Sequence, residues 1–344
     1  MTAVPAPDRI LVVIPCLNEA AHLDGLLKSL ATAQGGENHV IVVADGGSTD
    51  GSIEIAGRWS EAACNIHMLP NPDRLQSAGV NAAVARFGGE ADLLVRVDAH
   101  ALYPADFVDR LAEIARQTGA DSVVVPMATQ GDGCFQKAVA MAQNSRLGTG
   151  GAAHRMGGQS DWVDHGHHAL MRLDRFRALG GYDPRFSHNE DAEYDTRLAK
   201  AGGRVWMAAD LGLVYLPRAT PGALFRQYVN YGRGRARTVR LHGERLKLRQ
   251  AAPLLVGPAV FGAPLAVLTL LGGFWLIFAL AAAPAFVWAF ACLAGGLVLA
   301  RRGPWPCAAL LGPAAMIMHL AWSIGFWREC LSTPLQARSA VLQS

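Results

Sequence analysis

From position 250 to position 300 the chain contains no Asp, Glu, Lys, Arg or His. A stretch of that length without a charge cannot form the surface of a protein in water. Two segments within it, near 252–272 and 275–300, are each long enough as a helix to cross a hydrocarbon core of about 30 Å. Gly272-Gly273 offers a tight hairpin between them, and a third segment, near 305–327, follows Arg301-Arg302. Its neighbourhood, 303–327, has one ionisable group, His319. Just ahead of the apolar block, between Arg226 and Arg249, stand seven Arg, one Lys and a single acid, Glu244. The positive-inside rule assigns this collar and Arg301-Arg302 to the cytoplasmic side, with two crossings between them. A basic cluster beside a membrane is expected to meet anionic lipid, and nucleic acid is not an expected partner.

The first third of the chain has a different texture. Ile10–Ile14, Val40–Ala44, Ile66–Leu69, Leu93–Val97 and Ser122–Pro126 are short runs rich in Val, Ile and Leu, as in strands buried on both faces. Helical patterns lie between them, near 20–33, 51–60, 75–87 and 105–117, the second of which Ser48 or Asp50 can cap. This alternation predicts an α/β fold with a mostly parallel, Rossmann-like sheet, and ligands bind outside the carboxyl ends of such strands. Residues 127–165 are polar and Gly-rich and read as a long surface segment. Helices are expected at 172–180 and 190–201, with a strand near 204–208. The domain expectation is a catalytic domain over 1–221, an amphipathic basic interfacial segment over 222–250, about three membrane helices over 251–330, and a tail over 331–344. The six cysteines show no paired spacing and predict neither a zinc site nor a disulfide scaffold, as in a reducing compartment.

The strand ends carry the chemistry. Pro15-Cys16-Leu17-Asn18-Glu19 follows the first strand and Asp45-Gly46-Gly47-Ser48-Thr49-Asp50 the second. Asp45 can accept a base N–H, and Gly46 and Gly47 admit a ligand close to backbone; a simple capped turn explains the same residues about as well. Arg74 can reach a phosphate, although a lone Arg is more often a solvated one, and Asn81 follows on the next helix. Asp98 and His100, two residues apart past the fourth strand, can share a divalent cation, Mn²⁺ somewhat better than Mg²⁺; alone, the pair reads as a solvated strand end. Glu190-Asp191 starts a helix, where one acid serves as a cap. Two adjacent acids exceed that need, and one can take a proton from an attacking hydroxyl. Gln227 precedes Tyr231-Gly232-Arg233-Gly234-Arg235, whose guanidiniums can fork onto a diphosphate; several of the collar's arginines serve only the lipid surface. Asp164-His165-Gly166-His167-His168 invites a zinc reading, but its spacing fits no common site, and cleft lining explains it equally well.

In this order the motifs resemble the family 2 inverting glycosyltransferases of GT-A fold over residues 8 to 240. Pro15-Cys16-Leu17-Asn18-Glu19 is similar to that family's Pro-x-x-Asn-Glu, and Asp45 to Asp50 to its Asp-Asp-Gly-Ser-Thr-Asp, with Gly46 in place of the second Asp. Asp98-Ala99-His100 is similar to its metal-binding Asp-x-Asp, with His100 in the last place. Glu190-Asp191 is similar to the pair whose Asp is the general base. The Asp-Gly-Gly-Ser, Asp-Ala-His and Tyr-Gly-Arg-Gly-Arg variants further resemble the ExoA-like group of succinoglycan-biosynthesis glucosyltransferases. The Gln-x-x-Arg-Trp motif of processive synthases is missing, since Asn230 and Tyr231 follow Gln227.

The resemblance implies a UDP-sugar donor, UDP-glucose first, and a polyprenyl-diphosphate-linked oligosaccharide as acceptor at the cytoplasmic face of the inner membrane. Pro15, Asn18, Glu19, Asp45, Gly47, Arg74, Asn81 and Gln227 are expected to line the donor site. Asp98 and His100 are expected to hold a divalent cation, Glu190 to bind substrate or nucleotide, Arg233 and Arg235 to close over the diphosphate, and Asp191 to act as base. Three rivals are a transferase acting on polyprenyl phosphate itself, a metal-dependent nucleotide-sugar hydrolase, and a non-catalytic sugar-nucleotide sensor.

Overall fold

The computed structural model describes residues 8–33, 36, 39–152, 155, 158–271, 274–301 and 307–332. Four parallel strands start the main sheet: β1 (Ile10–Cys16), β2 (Val40–Asp45), β3 (Ile66–Pro70) and β4 (Leu93–Arg96). Their side chains alternate between two buried layers. Val12, Ile14, Ile41 and Val43 join one core, while Leu11, Val13, Val42 and Ala44 join the other. That is why these runs read as apolar throughout. Helices α1 (Ala20–Thr32), α2 (Ser52–Ala62) and α3 (Gln76–Phe87) make the crossovers, and α4 (Phe107–Thr118) leads to β6 (Ser122–Val125).

The second half of the sheet departs from the parallel expectation. β9 (His167–Arg172) enters antiparallel between β4 and β6. β10 (Val205–Met207) runs parallel to β6, and β8 (Asp161–Val163) closes that edge antiparallel to β10. The strand order is 3-2-1-4-9-6-10-8. A small second sheet joins β5 (Ala101–Leu102), β11 (Leu213–Tyr215) and β7 (Met127–Thr129) over the strand ends. The result is a GT-A-like mixed sheet with helices on both faces.

Residues 127–165 do not form one irregular surface segment. They contain β7, β8 and α5 (Cys134–Gln143), and α5 buries Val139 and Ala142 against α8 (Pro221–His242) and α11 (Leu311–Leu331). The apolar face of α8, with Leu224 and Tyr228, is used by the same cluster. It packs on protein rather than facing lipid alone. Cys134 and Cys307 form one disulfide, a pair that the cysteine spacing does not announce, and it pins α5 to the entry of α11. Pro221 at the first turn and the Thr220 Oγ1 that accepts the Ala223 N–H start α8, and Gly243, at φ 66°, ends it.

Among the described residues two helical stretches are long and apolar enough to cross a membrane, α10 (Trp275–Ala300) and Cys307–Leu331. α10 presents Trp275, Leu276, Phe286 and Phe290 outward. The expected first span, near 252–272, holds a 3-10 turn, Ala252–Leu255, that runs directly into α9 (Val256–Leu271). The Gly272-Gly273 hairpin, Arg302 and the tail from 333 lie outside the described residues.

Candidate active site

One cavity of about 800 Å³ opens beyond the carboxyl ends of β1, β2 and β4. Pro15, Glu19 and Arg74 line it from the first loops, Asp98 and His100 from the β4 exit, Glu190 and Asp191 from the helix they open, and Gln227 and Arg235 from α8. Residues separated by up to 220 positions therefore share one wall system, as the sheet topology requires of strand ends.

Asp98 stands amid donors. Gln76 Nε2 donates to its Oδ1 at 3.1 Å, Arg96 Nε lies 3.6 Å from that same oxygen, and His167 Nε2 lies 3.3 Å from Oδ2. Burial alone would raise the Asp98 carboxyl, but Arg96 and the His167 hydrogen bond hold it well below the usual carboxylate range. His100 pairs through Nδ1 with Glu19 Oε1 at 3.0 Å, and this bond lifts its imidazole above the ordinary value. The pairing leaves Nε2 as the free ligand position of a ring whose orientation a carboxylate fixes. Among the described residues no three His, Cys, Asp or Glu side chains converge into a metal group. A hard divalent cation that takes most of its ligands from substrate phosphates needs only one or two protein donors, and Asp98 with His100 fits that requirement.

Arg96 connects this pocket wall to the acid pair. It is 3% exposed, and its Nη1 donates to Glu190 Oε1 at 3.2 Å. Burial opposes its charge, but Asp98 and Glu190 keep the guanidinium protonated above its ordinary value. Burial and the adjacent Asp191 raise Glu190. Asp191 goes the other way: burial would raise it, but the field of His165, His168 and Arg96 holds it below the usual range. Its Oδ1 accepts its own helix's Ala192 N–H, at 2.8 Å. Of the two acids, Glu190 is committed to a buried cation while Asp191 is ionised and borders open space.

The α8 glycines sit in a continuous helix and allow close approach. A Cβ at Gly234 would lie 2.5 Å from the His188 carbonyl oxygen and 2.7 Å from the Asn189 Cβ. Asn189 takes φ 69°, a conformation Asn tolerates, and its Nδ2 donates to Thr238 Oγ1 at 2.9 Å. So α8 seats the turn that aims Asp191. Gly234→Val is expected to lower kcat about 10- to 100-fold by shifting that turn while UDP titration stays near normal; unchanged kcat would show that α8 does not position Asp191.

Other expected residues are placed elsewhere. Asp45 closes its own turn, accepting the Gly47 and Ser48 N–H groups at 2.8 and 2.9 Å and the Ser48 hydroxyl at 2.5 Å. Gly47, at φ 83°, supplies the turn's left-handed step. Asn18 ties the first loop to the second by accepting the Thr49 N–H at 2.8 Å. Asn81 clamps both backbone groups of Tyr182, at 2.7 and 2.9 Å. Arg233, expected on the diphosphate, is drawn instead to Glu329, 3.3 Å away in α11. None of these five lines the cavity.

The pattern also hid contributors. Arg96 lies within the expected strand Leu93–Val97, and the sequence reading assigns it no role. His165 and His167 line the cavity, and His168 and His165 grip Asp195 at 2.8 and 2.9 Å. His165, Gly166 and His167 thus belong to the cleft wall, as the cleft-lining reading of the tract expects.

The sequence profile described as Glycosyl transferase family 2 matches residues 11–180. The chain is 52% identical over 324 residues to the Succinoglycan biosynthesis protein ExoA of Rhizobium meliloti (strain 1021), covering 93% of this chain and 94% of that one. It is 31% identical over 142 residues, 40% of its length, to an Undecaprenyl-phosphate 4-deoxy-4-formamido-L-arabinose transferase of Aeromonas hydrophila, covering 43% of that protein. Among solved structures it resembles, in fold, a mannosyltransferase from Pyrobaculum calidifontis in complex with GDP-Man and Mn²⁺. The TM-score is 0.57 at 17% identity, covering 96% of this chain and 89% of the other.

Proposed function

The chain belongs to glycosyl transferase family 2, and we propose that it is an inverting enzyme of exopolysaccharide synthesis. It transfers a sugar from a UDP-sugar, with UDP-glucose the leading candidate, to a polyprenyl-diphosphate-linked oligosaccharide. The observation that carries the reading is that Asp98, His100 and Asp191 line a single cavity. That cavity also reaches the C-terminal helices through Trp288 and Trp322. The similarity to the Rhizobium meliloti protein over nearly the whole of both chains supports the pathway class.

In this mechanism the acceptor hydroxyl oxygen attacks the anomeric carbon from the side opposite the diphosphate. The new C–O bond forms as the bond to the diphosphate breaks, and its electron pair leaves with the nucleotide. Asp191 takes the hydroxyl proton, and the configuration inverts in a single displacement without an enzyme nucleophile. Asp98 and His100 would hold a divalent cation, Mn²⁺ or Mg²⁺, which when bound would supply positive charge at the diphosphate. Glu19 orients His100, and Arg96 keeps the Asp98 and Glu190 carboxylates from repelling the walls apart. The catalytic domain faces the cytoplasm, on the side of the basic collar.

Asp98→Ala is expected to weaken UDP binding in the presence of Mn²⁺ by about tenfold or more and to leave the weak metal-free binding unchanged. Equal titrations with and without Mn²⁺ in the wild type would remove the cation from the account. The function itself is tested by incubating the protein in lipid nanodiscs with a panel of UDP-sugars and a membrane lipid extract. Free UDP and a labelled lipid of diphosphate-oligosaccharide mobility should appear together. UDP release without a labelled lipid would favour the hydrolase. A lipid monophosphate sugar would favour the polyprenyl-phosphate reading, to which the Aeromonas hydrophila relative lends partial support.

A further inference from the structure

The cavity does not stop at Asp191. It runs on past Gly148 and Gly150 to Trp288 of α10 and Met318 and Trp322 of α11. His319 buttresses this end, with Nε2 donating to the Leu147 carbonyl at 2.8 Å and Nδ1 accepting Trp288 Nε1–H at 3.3 Å. Arg155 and Arg218 line the cavity, and so do three arginines from separate elements near its Met318 end, Arg146, Arg235 and Arg249; a Cβ at Gly148 would sit 2.9 Å from Met318 Cε. Arg146 and Arg249 flank one tight turn, since a Cβ at Gly150 would sit 2.6 Å from the Arg249 Cβ and one at Gly151 3.6 Å from the Arg146 Cγ. Both glycines take positive φ, 62° and 76°, so the turn keeps the two guanidinium stems close to backbone. Among the described residues neither Arg146 nor Arg249 forms an ion pair with a carboxylate. Arg235 has only Glu244, at 3.8 Å, and its buried Nε has no hydrogen-bond partner. Arg249 Nη1 donates to the Gly151 carbonyl at 3.3 Å, and guanidiniums without a close carboxylate beside an apolar passage call for an anion with a hydrocarbon tail.

We infer that Arg146, Arg235 and Arg249 form a second anion subsite, separate from the Asp98–His100 end, which holds the phosphates of the lipid acceptor. Its hydrocarbon chain lies along Trp288, Met318 and Trp322. The inference rests on the proposed lipid-linked acceptor and adds the residues that recognise it. The full chain in phosphatidylcholine nanodiscs, with Mn²⁺, is titrated with farnesyl diphosphate, inorganic diphosphate and UDP. The wild type should bind farnesyl diphosphate at least about tenfold more tightly than inorganic diphosphate. Arg146→Gln and Arg249→Gln should each weaken farnesyl diphosphate about tenfold and leave UDP within about twofold, which also certifies folding. Trp288→Ala should weaken farnesyl diphosphate and spare inorganic diphosphate. Parallel loss of UDP affinity would assign the arginines to the donor and overturn the inference. So would unchanged farnesyl diphosphate binding, or equal affinity for the two diphosphates in the wild type. A wild type that binds farnesyl diphosphate in this arginine-dependent way, yet labels only a lipid-free acceptor, would sink the proposed function and leave the lipid subsite standing.

Discussion

Asp191→Asn should abolish sugar transfer, with kcat falling about 10²- to 10⁴-fold, while UDP affinity in the presence of Mn²⁺ stays within about twofold of the wild type. The asymmetry follows from position. Asp191 accepts the Ala192 N–H of its own helix, at 2.8 Å, and lines the cavity. The Asn side chain keeps the shape and can still accept that N–H, so binding persists, but it cannot take a proton. The electrostatics agree in sign. His165, His168 and Arg96 hold Asp191 below the ordinary carboxylate range, so the base is ionised at neutral pH and is lost only as pH falls through that depressed value. Glu190→Gln discriminates between the two acids. Gln can still accept the Arg96 N–H, at present 3.2 Å from Glu190 Oε1, so this variant should retain a larger share of kcat than Asp191→Asn. The reverse ranking, measured as UDP release under saturating donor, would transfer the base role to Glu190.

What the sequence made legible was local. Leu11 to Ile14 and Ile41 to Ala44 announce buried strands because each face of the sheet has its own core. Strand ends then mark the ligand side without further information. What stayed hidden depended on pairings across the chain. β9 inserts antiparallel between β4 and β6, and this brings His167 to within 3.3 Å of Asp98, 69 positions earlier. No periodicity in either segment encodes that register. Residues 127–165 misread for a related reason: α5 finds its apolar partners on α8 and α11, so its burial depends on helices that lie 80 to 180 positions later. The Tyr-Gly-Arg-Gly-Arg run shows the same limit. Nothing local in it marks which glycine meets which neighbour, yet Gly232 packs against the Trp322 carbonyl and Gly234 against the His188 carbonyl. Arg233 and Arg235, two residues apart on a helix, consequently face different partners: Glu329 for the first, the cavity for the second.

Arg96→Met should be the most destabilising single change at the site, by about 3–5 kcal/mol, and should also abolish activity. Arg96 is the one buried cation joining the β4 exit to the start of α7 (Glu190–Lys200), with Nε 3.6 Å from Asp98 and Nη1 3.2 Å from Glu190. Met fills much of the same volume, so a lost cavity-filling group is not the main cost. The cost is two carboxylates left facing each other in a poorly hydrated wall, and Glu190, already raised by burial and by Asp191, would take up a proton. The sign of the pH dependence follows. In the wild type the depressed Asp98 contributes stability that is present above its unfolded value and is lost as pH falls through its lower folded value. Without Arg96 that contribution shrinks or reverses, so the variant should gain stability relative to the wild type as pH drops from 7 towards 5. Arg96→Lys separates charge from geometry: one ammonium cannot fork to both acids, so it should recover much of the stability and little of the turnover. Thermal denaturation at two pH values with UDP release on the same samples reads both quantities. An Arg96→Met protein as stable as the wild type at pH 7 would mean that the two acids are not held together by this guanidinium.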